Sequence, residues 1–219
     1  MIDDLTNKAV LFDLDGTLLD TKELILSSFR YATKEILGKQ LPDERLLPFI
    51  GIPLVYQMET IDAAHTDELV KSYREHNARV HDELIRSFEG TKEALTTLKE
   101  EGYRLAVVTS KRREPALQGL GCFELQGFFE LLIGSDDSSK HKPEPEPLLL
   151  AAERLGLPIG SCIYVGDSPY DMRAARAAGA VAVAALWGMF SRDELWEGGA
   201  QYEAARISDL PAVLRSIED

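Results

Sequence analysis

Four acids stand in two short clusters, Asp13-Leu14-Asp15-Gly16-Thr17 and Gly166-Asp167-Ser168-Pro169-Tyr170-Asp171. In an extended chain side chains repeat with period two, so Asp13 and Asp15 point to one side. Carboxylates that close repel unless a cation lies between them or one is protonated. Gly16 permits a tight turn. A turn or capping role would also account for this pair taken alone. A calcium loop would not: Gly16 sits one place too near Asp15, no terminal Glu follows in position, and a strand-like run precedes it. Asp167 and Asp171 are four apart, one helical turn, and Asp167 could equally cap a helix opening near Pro169.

Two further segments add phosphate-binding chemistry. Thr109-Ser110-Lys111 offers hydroxyls ahead of a helical stretch, where free N–H groups cradle anions or merely receive a cap. Lys142-Pro143 supplies one lysine, which by itself would pass for a solvated one, and His141 beside it reads as a loop residue. Together these residues suit phosphoryl transfer through a carboxylate nucleophile, with magnesium the hard cation that bridges carboxylate to phosphate. Other familiar sites are absent: there is no Walker loop, no G-x-G-x-x-G after a strand, no G-x-S-x-G elbow and no H-E-x-x-H. His65, His76, His81 and His141 lack zinc spacing. Cys122 and Cys162 are read as inert thiols in apolar settings, too few for a disulfide scaffold.

The elements that must position these groups are legible as apolar runs. Ala9-Val10-Leu11-Phe12 ends in Asp13, Arg104–Val108 in Thr109, Leu131–Ile133 in Gly134, and Cys162-Ile163-Tyr164-Val165 in Gly166-Asp167. A fifth run covers 181–185. Helical patterns fall near 90–101, 112–120, 144–155 and 169–178. This alternation predicts an α/β fold, a Rossmann-like parallel sheet with helices on both faces. Polar residues gather at the carboxyl ends of the strands, where such sheets bind ligands. Residues 21–87 break the pattern: Ile25, Phe29, Ala32 and Ile36, and then Leu69, Tyr73, His76, Val80 and Leu84, keep helical spacing. They predict an all-helical cap inserted after the first strand, with 1–20 and 88–219 as the catalytic core.

The 219 residues carry 24 Lys+Arg against 37 Asp+Glu, a net charge of -13, which speaks against nucleic acid and against anionic membranes as partners. Residues 1–4 lack signal-peptide character, and the weakly polar run 178–190 is too short to span a bilayer. The expectation is a soluble, reducing, cytoplasmic protein, monomer or homodimer.

In these motifs and their order the chain resembles the haloacid-dehalogenase superfamily of aspartyl-phosphate hydrolases. Ala174-Ala175-Arg176-Ala177-Ala178-Gly179 is similar to the phosphoglycolate-phosphatase-like branch. Leu47-Pro48-Phe49-Ile50-Gly51-Ile52-Pro53-Leu54, Tyr73-Arg74-Glu75-His76-Asn77, His81-Asp82-Glu83-Leu84 and Lys142-Pro143-Glu144-Pro145-Glu146-Pro147 resemble its bacterial pyrophosphatases. The resemblance implies Asp13 as nucleophile and Mg²⁺ ligand. It implies Asp15 as acid then base, lending its backbone carbonyl to the metal. Asp167 would be a metal ligand, Asp171 would orient the metal shell, and Thr109, Ser110 and Lys142 would hold phosphoryl oxygens. The implied activity is Mg²⁺-dependent hydrolysis of a small phosphate, inorganic pyrophosphate or 2-phosphoglycolate, with the cap hinging near 18–21 and 87–90. A haloacid dehalogenase would not need Asp15. A capped sugar phosphomutase would keep both acids, and a non-catalytic phosphate-binding regulator would be expected to have lost some of these residues. A second anionic group on the substrate needs a further cation, for which Arg45, Arg74, His76, Arg79, His81, Arg112 and Arg113 are the candidates.

Overall fold

All four residues of β1 (Ala9–Phe12) are fully buried, as a strand covered on both faces requires. The computed structural model describes residues 8–218, so the reading of residues 1–4 lies outside the described residues. After β1 the chain runs through β2 (Leu19–Asp20), α1 (Lys22–Leu37), α2 (Asp43–Leu46), α3 (Leu54–Ile61), α4 (Thr66–Leu84) and β3 (Arg86–Ser87). It continues through α5 (Thr91–Glu100), β4 (Arg104–Val108), α6 (Arg113–Cys122), β5 (Leu131–Ile133), α7 (Glu146–Leu155) and β6 (Cys162–Gly166). It ends with α8 (Pro169–Ala178), β7 (Val181–Ala185), α9 (Arg192–Glu197), β8 (Tyr202–Ala204) and α10 (Leu210–Glu218).

The sheet order is β5-β4-β1-β6-β7-β8, and every neighbouring pair is parallel. The fold is therefore the expected α/β one. β1 is central, and Phe12 pairs with Val107 of β4 and Val165 of β6. That register brings the residues following all three strands to one edge. Side chains alternate between the faces. Val10, Phe12, Val107 and Val165 pack with Leu95, Leu98 and Leu214 on one side. Leu11, Ala106, Val108 and Tyr164 pack with Leu148, Ala151 and Met172 on the other.

Helices α1 to α4 enclose a separate core of Ile25, Phe29, Ala32, Leu46, Met58 and Leu69. Phe29 and Tyr73 meet edge to face at 5.1 Å. Each fully buried Leu, Met or Phe among them contributes about 1.5–3 kcal/mol. Both strands that connect this unit to the sheet pair with each other: β2 and β3 are antiparallel, Leu19 opposite Ser87 and Asp20 opposite Arg86. Two-residue strands carry no periodicity, which is why the sequence reading did not find them. Among the described residues no helix is long and apolar enough to cross a membrane.

His76, on α4, is buried beneath the ring of Tyr31 at 4.5 Å, with Ser28 Oγ 3.4 Å from Nδ1. Burial, and then the charge of Arg79, lower its pKa from 6.5. The folded state thus binds fewer protons here than the unfolded one, so stability rises with pH. His76 contributes its full share above 6.5, and that share is lost as pH falls from 6.5 toward the lowered value. Urea midpoints measured from pH 7.5 to 5 should fall, and His76→Gln should flatten that slope. An unchanged slope in the variant would show that His76 is not a source of it.

Candidate active site

Asp13 leaves β1 with its N–H on Val165 O at 2.9 Å, which fixes it beside β6. Asp13, Asp167 and Asp171 are buried, and one carboxylate oxygen from each lies within 4.8 Å of the others. Lys142 is buried among them. Its Nζ bonds Asp171 Oδ1 at 2.6 Å and Tyr164 Oη at 3.0 Å. It lies 3.0 Å from Asp13 Oδ1, an ion pair with no aligned hydrogen bond. Two of the three carboxylates thus share the ammonium, and Asp167 stands beside them without it. Burial pushes Asp13 up to about 7, against the pull of Lys142 and with Asp171 and Asp15 adding repulsion. Asp167 is raised well above the usual carboxylate range, by burial first and then by Asp171 and Asp13. Burial opposes the charge on Lys142, but Asp13 and Asp171 outweigh it and raise the ammonium's pKa. An excess of buried oxygen anions, one without an aligned partner, is the donor set a hard divalent cation fits.

Local chemistry holds each group. α8 opens with a capping box: Ser168 Oγ accepts from Asp171 N, and Asp171 Oδ2 accepts from Ser168 N at 3.0 Å and from its hydroxyl at 2.6 Å. Both Asp171 oxygens are therefore committed, one to the cap and one to Lys142. Asp167 Oδ1 accepts from Thr17 Oγ1 at 3.3 Å and Oδ2 from Met189 N at 2.8 Å. The neighbouring backbone must come close: a Cβ on Gly16 (φ +82°) or on Gly188 would lie 2.2 Å from an Asp167 atom. Trp187 Nε1 donates to Thr17 O at 2.9 Å and pins the loop after β1.

A cavity of about 670 Å³ opens above these acids, lined by Asp13, Asp15, Thr109, Ser110 and Asp167 from the sheet side and by Ile50, Gly51, Ile52, Tyr56 and Tyr73 from the helical unit. Asp13 and Asp15 do share this wall. Ser110 Oγ donates to Gly51 O at 2.7 Å and Tyr170 Oη to Pro48 O at 3.0 Å, so the 48–51 loop is seated on the sheet edge. Tyr56 meets His141 across the same seam at 5.9 Å. Thr109 Oγ1 accepts from Lys111 N at 3.2 Å.

Of the candidate cations, Arg74, His81 and Arg112 line the cavity. Arg45 does not. His76 is buried in the helical unit, Arg79 lies over Tyr31 at 5.2 Å, and Arg113 reaches Leu132 O at 2.7 Å. Cys162 is buried, but Cys122, expected in an apolar setting, is exposed, because the end of α6 faces solvent near Asp82.

Three contributors escaped the sequence reading. Lys111 Nζ bonds both oxygens of Asp15, at 2.8 and 3.2 Å. Tyr164 Oη, 2.8 Å from Val108 O and 3.1 Å from Asp171 Oδ1, anchors Lys142. The 187–189 turn holds Asp167. The one available signal was a tyrosine inside an otherwise apolar buried strand, whose hydroxyl has to find a partner.

The family model for haloacid dehalogenase-like hydrolases matches residues 10–185. A protein of Caldanaerobacter subterraneus subsp. tengcongensis that carries pyrophosphatase PpaX as a provisional name is 46% identical over 211 residues, 96% of each chain. Pyrophosphatase PpaX of Bacillus velezensis is 38% identical over 202 residues, 92% of this chain and 94% of that one. The crystal structure of a hydrolase from Pseudomonas syringae aligns with a TM-score of 0.86 at 27% identity, covering 96% of this chain and 99% of that one.

Removing Lys142 leaves buried carboxylates uncompensated. Lys142→Met should destabilise the protein by about 3–5 kcal/mol near neutral pH, the usual cost of breaking a buried pair, with added divalent cation restoring part of it. Urea unfolding with and without the cation checks this. A midpoint equal to wild type in both would show that the acids do not depend on the lysine.

Proposed function

The chain belongs to the haloacid dehalogenase-like hydrolases and is a phosphatase, and from that premise we propose that it cleaves inorganic pyrophosphate through an aspartyl-phosphate at Asp13. The observation that carries the chemistry is a buried Asp13, backed by Lys142, sharing a cavity wall with Asp15. Pyrophosphate as substrate is supported by the pyrophosphatase names of relatives that align over nearly the whole chain.

An Asp13 carboxylate oxygen attacks one phosphorus, and the bond from that phosphorus to the bridging oxygen breaks. The bridging oxygen takes the Asp15 proton and leaves as phosphate. Asp15, now a carboxylate, takes a proton from a water that attacks the phosphorus on Asp13. The phosphorus–Asp13 oxygen bond breaks, which frees a second phosphate and regenerates the nucleophile. Lys142 and Thr109 hold the transferred phosphoryl oxygens. Ser110 does so only after its hydroxyl leaves Gly51 O, so phosphate binding and seating of the 48–51 loop compete for one donor. Asp13, the Asp15 backbone carbonyl and Asp167 would hold Mg²⁺, which when bound offsets the repulsion between a carboxylate and a phosphate anion. Residues 21–87 act as the lid that excludes bulk water. The net charge of -13 repels anions at long range, so recognition is local.

Side-by-side kcat/KM values should rank pyrophosphate first, 2-phosphoglycolate next and glucose phosphates last. A best value on a hexose phosphate, with isomer interconversion in place of phosphate release, would replace this reading with a phosphomutase. Activity should vanish in excess chelator and return with Mg²⁺; full turnover in chelator would remove the metal from the scheme.

Asp13→Asn should abolish turnover, because an amide is a poor nucleophile. Asp15→Asn should slow it by about 10²–10⁴-fold, the range for losing a general acid–base. Phosphate-release assays decide both, and near-normal rates for Asp13→Asn would end the covalent scheme.

A further inference from the structure

We propose that Lys111 binds negative charge on the leaving group and thereby selects substrates whose leaving group is an anion. This rests on the phosphatase reading of the site, but not on pyrophosphate being the preferred substrate. In a displacement with attacking and leaving oxygens roughly in line, the leaving group lies away from Asp13 and beside the proton donor. A cation next to Asp15 is therefore next to the leaving group. Lys111 is that cation, with Nζ 2.8 and 3.2 Å from the two Asp15 oxygens.

Its placement is built. The Lys111 N–H is held by Thr109 Oγ1 at 3.2 Å and its carbonyl accepts from Ser135 N at 2.9 Å. Its side chain is 14% exposed and that of Asp15 17%, and both line the cavity. Lys142 serves a different end, its ammonium lying against Asp171, Tyr164 and the nucleophile Asp13. Arg74 and Arg112 also line the cavity but are exposed, where charge is screened by water.

The pair also constrains the chemistry. While Lys111 donates to both Asp15 oxygens, neither is free to take up a proton from solvent and pass it to a bridging oxygen. A second phosphoryl group or a carboxylate on the leaving group offers the ammonium another anion, and Asp15 is released as the substrate binds. A neutral alkyl leaving group offers none.

The test compares wild type, Lys111→Met and Lys111→Arg by kcat/KM on pyrophosphate, 2-phosphoglycolate and ethyl phosphate. Lys111→Met should lower the ratio of each anionic-leaving-group substrate to ethyl phosphate by about 10–100-fold, the value of a hydrogen bond to a charged group. Lys111→Arg should restore most of that ratio. An equal fall on all three substrates would overturn the proposal and leave Lys111 as a positioning residue for Asp15. Unchanged ratios in both variants, or a wild type inactive on both anionic substrates, would overturn it too. A wild type active on 2-phosphoglycolate but not on pyrophosphate refutes the pyrophosphate reading while the remaining ratio still tests Lys111. Lys111→Arg keeps the charge, so it gives a readout even where Lys111→Met folds poorly.

Discussion

Three buried carboxylates crowd together with the ammonium of Lys142 paired to two of them, Asp13 and Asp171, and most of what surrounds them exists to make that arrangement tolerable. A buried carboxylate left unpaired would protonate or draw the chain open. Here Asp171 spends both oxygens on Lys142, Tyr164 and the first turn of α8, and Asp167 is held by Thr17 and Met189. The sheet follows from the same need. Only with β1 hydrogen-bonded between β4 and β6 do Asp13, Thr109 and Asp167 emerge at one edge. Gly16 and Gly188 then let backbone approach Asp167 where any Cβ would collide.

Much of this was legible because buried parallel strands leave an unusual trace. A run such as Val10-Leu11-Phe12 has no polar face, and a polar residue directly after it marks the carboxyl edge. The strands at 104–108, 131–133 and 181–185 and the helix at 169–178 lie where the pattern put them. β2, β3 and β8 did not show, being two or three residues long with exposed members such as Arg86 and Tyr202.

The side-chain constellation was legible only in part. Acids that end strands reveal themselves by position, whereas the partner that neutralises each one depends on tertiary placement. Lys111 and Asp15 are separated by 96 positions in sequence, and nothing local to either announces the other. The arginines make the same point. Arg74 and Arg79 sit on one helix, yet one lines the cavity and the other lies over Tyr31, a choice made by the rotation of α4 against α1.

The two lysines divide the site by depth. Lys142 is sealed among Asp13, Asp171 and Tyr164, and in the proposed scheme it serves the phosphoryl group common to every substrate. Lys111, mostly buried, faces the cavity beside Asp15, where the proposed scheme places the leaving group in which substrates differ. Burial makes an ion pair strong but also fixes it, because neither partner has water to fall back on. A pair that lines the cavity keeps some contact with solvent, so it can exchange one anion for another at lower cost than a sealed pair. Constancy at Asp13 and adaptability at Asp15 thus follow from how far each lysine lies below the surface. In the proposed scheme the loop that covers them would add a third exchange, Ser110 giving up Gly51 O for a phosphoryl oxygen. Binding a phosphate would then remove the Ser110 tie on the 48–51 loop and leave the one from Tyr170 to Pro48.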